Sequence, residues 1–253
     1  MVQIQFSDLF SNSFAEFKKN FKQYLPMIIF LHIIPSLVYS FLVIISSVGA
    51  VLFGANSIPA IAAFSFIILA ALIVFLVLRT LMTISIIRMN LSEQKTNWKD
   101  AFQQAKPHFW RTFGFSLLLT IFLVLLYLLL IIPGIIFSIF WTFGIFILLD
   151  SKLSPMDCLK ESKKLVKGRW WTVFGYFFIV MLIVMGINMA ISMVLLPLGI
   201  GLSIGFGPIA GQLASKLISQ FFLDIVSGFT SVFVLIFAAK FYLTLKKLRG
   251  QPQ

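Results

Sequence analysis

Long apolar runs alternate with short polar connections along the whole chain. The runs are Leu25 to about Leu52, Ile58 to about Ile87, Thr112 to Ile132, Ile135 to Leu149, Val173 to Leu196 and Leu217 to Leu243. A helix needs about 20 apolar residues to cross hydrocarbon. These runs predict six membrane helices, of which the fourth, with 15 residues, is short.

Short amphipathic segments precede the odd-numbered runs. Phe6, Phe10, Phe14, Phe17 and Phe21 form one aromatic stripe, with Asp8, Asn12, Lys18, Lys19 and Lys22 largely off it. Such a helix is expected in the interface, apolar face toward acyl chains and cations toward headgroups. Packing on the protein's own loops is the alternative.

The second segment is TNWKDAFQQAKPHFWRTFG and the third SPMDCLKESKKLVKGRWWTVFG. Both end in an aromatic pair followed by Phe-Gly: Phe109, Trp110, Phe113, Gly114, and Trp170, Trp171, Phe174, Gly175. Both run on to an apolar-apolar-Pro step at Ile131-Ile132-Pro133 and Leu195-Leu196-Pro197. The pattern reads as three units of interfacial helix plus membrane hairpin within one membrane domain, 1–253. The parts are an interfacial helix (1–24), a first hairpin (25–87), a second helix and hairpin (96–149), a third helix and hairpin (154–243) and a tail (244–253). In the third segment Ser154 is the expected N-cap, Pro155 the first helical residue and Gly168 the stop.

Charge fixes the expected orientation. Of the 20 basic residues, 18 lie before the first run, between the second and third, between the fourth and fifth, or at the end of the chain. Only Lys216 falls in a connection on the other side, and Arg79 lies inside a run. Short loops rich in Lys and Arg stay cytoplasmic, so both termini are expected inside a bacterial cytoplasmic membrane.

Composition agrees with this class. The chain is 60% hydrophobic and 11% charged, with mean hydropathy +1.04, whereas soluble domains carry roughly 25% charged residues. The net charge of +12 does not indicate nucleic acid, because the cations lie between apolar runs and not on one water-exposed basic face. The partners it implies are membrane phospholipids. Lys18, Lys19, Lys22, Arg111, Lys163, Lys164, Lys167 and Arg169, with Trp170 and Trp171 at the boundary, are the candidate contacts to anionic lipid. A membrane protein partner is a further possibility. The single cysteine, Cys158, excludes an intrachain disulfide and reads as a half-buried helical residue. MVQIQFSDLF has no basic region followed by a short apolar core, so a cleaved signal peptide is not expected.

The run IIPGIIFSIFWTFGIFILLDSKLSPMDCLKESKKLVKGRWWTVFG resembles the membrane domain of bacterial glycerophosphoryl diester phosphodiesterases and related membrane families. It carries their Pro-Gly break (Pro133-Gly134) and an acidic residue ending the next helix (Asp150). A short helix from Ser154 to Lys167-Gly168 and opening aromatics (Trp170-Trp171) complete the match. In fused members a soluble domain performs the phosphodiester chemistry. No such domain is expected in these 253 residues, so the resemblance implies a membrane part acting without it.

Catalytic signals are missing. His32 and His108 have no acid at metal-binding spacing, and no GxSxG or GxxxxGK[ST] occurs. The GFGPIA stretch at Gly205 imitates a dinucleotide motif without its strand–helix context. Neither enzyme activity nor a cofactor is expected.

Buried polarity is more informative, because a charge in hydrocarbon is costly and is usually paired. Asp224 is the only acid inside a run, and it shares one helical face with Gln220, Ser227 and Ser231. Asn188 on the fifth run is expected to face Asp224, with Gly186 and Ala190 permitting close approach. Asp224, Gln220 and Asn188 are then the candidate intramembrane polar site. The readings left open are a polar pair holding one hairpin, a substrate or proton path, and exposure to water. Arg79 is expected to snorkel to the near headgroups. The LLLIIPGIIF turn leaves open whether the second hairpin crosses fully, and PLGIGLSIGFGPIAGQLASK reads as a flexible or interfacial loop.

The expected fold is an all-α, six-helix membrane bundle with amphipathic helices on the cytoplasmic face. The leading role is a non-enzymatic one in lipid or envelope homeostasis. The alternatives are a small transporter or lipid translocator, and an adaptor for another membrane complex.

Overall fold

Within an apolar segment every backbone N–H and C=O must find its partner inside the segment, and a helix does this locally. The computed structural model describes residues 4–53, 58–92 and 97–250, and the described residues hold helices and no strand. The α-helices are α1 (Phe6–Lys19), α2 (Phe21–Ile28), α3 (Ile34–Phe53), α4 (Ile58–Leu91), α5 (Trp98–Ala105), α6 (Phe109–Leu129), α7 (Ile131–Trp141), α8 (Gly144–Asp150), α9 (Pro155–Val166), α10 (Trp170–Phe206) and α11 (Pro208–Gly250). Among the described residues six segments are long and apolar enough to cross a membrane: Phe21–Leu42, Ser65–Leu91, Trp98–Leu129, Ile131–Asp150, Trp170–Phe206 and Ala210–Arg249. The chain is therefore an all-α polytopic bundle. Large apolar side chains cover its outside, Leu128, Val194 and Ile204 each being more than three-quarters exposed.

Two stretches differ from the sequence expectation. The second hairpin turns at one extended residue, Leu130 (φ −161°, ψ 133°), and α7 starts at once. Pro133 falls in the first turn of α7, where its missing N–H removes no hydrogen bond. Gly134 lies under the Tyr127 ring, and a Cβ there would stand 2.5 Å from Cδ1. With α8 the span reaches 20 residues, or about 30 Å at ~1.5 Å per residue, which is the thickness of hydrocarbon.

The expected Gly/Pro-rich loop is instead helix. Helix α10 runs through Pro197 to Phe206, and α11 begins at Pro208. Gly207 alone makes the turn at φ +82°, a conformation glycine adopts without a Cβ clash, and Pro208 suits a helix start.

The chain divides into two compact units, each assembled from separated stretches and so cutting across the serial repeats. The first comprises Met1–Tyr24, Thr80–Leu182 and Val232–Gln253. Phe115, Phe143, Phe237 and Phe241 are fully buried in its core. Phe143 meets Phe241 edge-on at 5.6 Å, and Gly144 admits the Phe115 ring. Three ion pairs tie α11 to three other helices: Lys240 to Glu16 on α1 (3.2 Å), Lys246 to Asp150 on α8, and Arg249 to Glu161 on α9 (2.9 Å). Each is solvent-accessible and contributes little alone, but together they fix the position of α11.

The related segments of this unit build the same aromatic triad. Phe109 stacks on Phe113 while Trp110 stands edge-on to Phe113. Trp170 stacks on Phe174 while Trp171 stands edge-on to Phe174. Trp110 and Trp171 are each 77% exposed. Ser154 caps α9 by accepting from Asp157 N–H, Pro155 is its first residue, and Gly168 ends it at φ +85°.

The second unit comprises Leu25–Arg79 and Ile183–Ser231. Its last hairpin closes through glycine. Gly199 faces Ser215, and Gly211 lies against the backbone of Leu202 and Ser203.

Candidate functional site

Polar side chains converge inside the second unit, around a widened turn of the first span. Residues Ile29–Ile33 form a π-helical turn. Pro35 has no N–H for the Leu31 carbonyl and its ring would press on that carbonyl, a conflict that a wider turn relieves. His32 projects from this turn, and its Nε2 lies 2.9 Å from Ser231 Oγ on α11. One turn below Ser231, buried Gly228 allows the approach: a Cβ there would stand 2.7 Å from Ile28 Cγ2 and 3.3 Å from His32 Cβ. Asp224 accepts from Gln220 Nε2 at 3.0 Å.

The expected partnership across the last hairpin is not formed. Asn188 Nδ2 donates to the Val184 carbonyl of its own helix at 2.8 Å. Gly186 has open space around it, and Ala190 is exposed. The residue that joins the polar face is His32, on another span. Because α11 begins at Pro208 rather than Leu217, Asp224 stands 16 residues (224 − 208) into its helix, about 24 Å from its start, and not near one end.

The cations and aromatics expected at the lipid boundary sort into two groups. Arg111 spends its guanidinium on the Ser151 and Leu153 carbonyls between α8 and α9. Lys163 lies over the Phe137 and Phe140 rings, Lys164 bonds Glu161, and the Trp170 indole donates to the Ile136 carbonyl. These four hold the protein together. Lys18, Lys19, Lys22 and Lys167 are exposed, and their side chains, with that of half-buried Arg169, make no hydrogen bond or ion pair among the described residues.

The aromatic stripe of α1 is also divided. Phe6 packs on Tyr176 and Phe237, and Phe10 on Phe233, while the Tyr176 hydroxyl donates to the Ile4 carbonyl. Phe14 stays 55% exposed. Much of the stripe thus rests on the protein's own helices, because α10 and α11 offer aromatic side chains at matching height.

Glu161 is held below the usual carboxylate range, first by the hydrogen bond from Lys164 and then by that from Arg249. Burial pushes the Cys158 thiol up. Among the described residues no group of three or more His, Cys, Asp or Glu is placed to hold a metal ion.

These features define a polytopic helical membrane protein with a free basic and aromatic rim and a polar cluster inside one unit. The chain matches no protein-family model, no curated protein and no solved structure.

Proposed function

We propose that this is a non-enzymatic protein of the bacterial cytoplasmic membrane that acts in lipid or envelope homeostasis by holding anionic phospholipid. The observation that carries this reading is the set of unspent cations, Lys18, Lys19, Lys22 and Lys167, together with the exposed Trp171 ring, at the start of spans. Glu16, Asp150, Asp157 and Glu161 of the same unit are already paired with other cations, so these charges look outward to headgroups, each contributing about 1 kcal/mol near an anionic surface. Trp171 suits the boundary layer where amphipathic rings concentrate. The resemblance of residues 131–175 to the membrane domain of glycerophosphoryl diester phosphodiesterases points toward lipid as well. A transporter using Asp224, Gln220 and Asn188 has less support, since Asn188 is turned to its own helix.

The test is native mass spectrometry of the full chain in mild detergent with stepwise delipidation. Wild type should retain phosphatidylglycerol longer than phosphatidylcholine of the same chains. A Lys18→Gln, Lys19→Gln, Lys22→Gln, Lys167→Gln variant should lose most of that preference. An unchanged preference in the variant overturns the reading.

A further inference from the structure

The last hairpin carries a groove with two unlike walls, about 550 Å³ in volume. From α10 it presents Leu195, Leu196, Ile200 and Ile204, with Leu196 64% and Ile204 81% exposed. From α11 it presents Gln212, Ser215, Lys216 and Ser219, spaced i, i+3, i+4, i+7 on one helical face. No acid lines it.

The hydroxyls of the two walls are used differently. Ser192 and Ser203, also in the groove, each donate to a carbonyl one turn back on α10, at 2.9 Å. Such back-bonding is the usual fate of a hydroxyl in an apolar helix. Ser215 and Ser219 make no such bond. Among the described residues neither their side chains nor those of Gln212 and Lys216 have a hydrogen-bond or ion-pair partner. One wall therefore holds four unspent donors, one of them cationic, and the facing wall is hydrocarbon.

We propose that this groove binds a net-anionic, phosphate-bearing lipid. The lipid's phosphate accepts from Lys216, Ser215, Ser219 and Gln212, and one acyl chain lies along Leu195, Leu196, Ile200 and Ile204. Charge complementarity selects the anion, because the groove has a cation and no acid. The apolar wall selects a lipid over free phosphate, which would leave that wall uncovered. Lys216 is the basic residue that the charge pattern puts in a connection on the side opposite the other cations, so the site serves the other leaflet. The proposal rests on the lipid reading above and gives it a defined pocket.

The test starts from the rim-neutralised variant, so that lipid held by Lys18, Lys19, Lys22 and Lys167 is removed. Titrated with phosphatidylglycerol in native mass spectrometry, the full chain should still form a 1:1 adduct. Adding Lys216→Gln should weaken that adduct about tenfold, as expected when a charge-assisted hydrogen bond is lost. Lys216→Arg should retain it, and Ser215→Ala with Ser219→Ala should weaken it several-fold. Phosphatidylcholine of the same chains and inorganic phosphate should both bind more weakly. An adduct indifferent to Lys216→Gln overturns the groove and leaves the rim untouched. Inorganic phosphate binding as tightly as the lipid overturns the lipid assignment. A rim variant that loses no lipid overturns the rim reading, while Lys216→Gln still decides the groove. Lys216 is exposed, so the melting temperature should not change with its substitution.

Discussion

His32 and Ser231 are separated by 199 positions in sequence and 2.9 Å in space, and their bond joins the first span to the last within one unit. In double-mutant cycles, buried polar pairs between membrane helices contribute about 0.6 kcal/mol on average and up to about 1.7. His32→Phe and Ser231→Ala should therefore show a coupling energy in that range when unfolding is followed in detergent. Strict additivity would remove the bond from the account. The polar face of α11 was legible, because Gln220, Asp224, Ser227 and Ser231 recur at helical spacing. Its partner was not. Asn188 stood at a matching depth, but an asparagine in an apolar helix can satisfy its amide on its own i−4 carbonyl, and it does. His32 left only a weak signal, an ionisable residue in an apolar run with Pro35 three positions on.

At the scale of elements, α9 shows how far local rules reach. Ser154, Pro155 and Gly168 act as cap, first residue and stop, as their chemistry dictates. The opposite case is α10 and α11, whose glycines and prolines read as a loop. Pro197 is tolerated inside α10, and two glycines of the tip, Gly199 and Gly211, serve close packing against Ser215 and against Leu202 and Ser203. Sequence shows where glycine is, and packing decides whether it bends or contacts.

Helix α9 also carries a built-in probe. Cys158 is fully buried, with its Sγ 3.7 Å from the Leu153 carbonyl, and burial raises its pKa. At pH 8 the thiolate is scarcer than in a free cysteine, and reaction should rise only at higher pH. Iodoacetamide labelling of the folded protein should be at least about 100-fold slower than after denaturation, because the thiolate, the reactive form, is both rare and covered. Labelling at the unfolded rate would mean that α9 is not docked.

For the whole molecule, the periodic alternation of apolar runs and basic connections foretold six spans, and six segments qualify among the described residues. Charge asymmetry predicts the orientation. In a Cys158→Ser background, a membrane-impermeant thiol reagent added to intact cells should label Gln212→Cys and reach Lys167→Cys only after lysis. The reverse pattern would overturn the orientation. What the sequence did not reveal is the assembly of each unit from distant stretches. That depends on which aromatic faces meet, and nothing in the spacing along the chain encodes it.

The first unit takes its closing piece from Val232–Gln253. Phe237 and Phe241 fill its core, and Lys240, Lys246 and Arg249 clamp α1, α8 and α9. A ribosome makes the chain from its N-terminus, so every other member of this unit emerges before its keystone. Until α11 arrives, Phe143, Phe177 and Phe6 lack the Phe237 and Phe241 rings they pack on, Glu16 and Asp150 lack the cations that anchor them, and Glu161 has Lys164 alone. The nascent protein therefore passes through an open stage in which those rings await their cover, and a release before Val232 strands all of them at once.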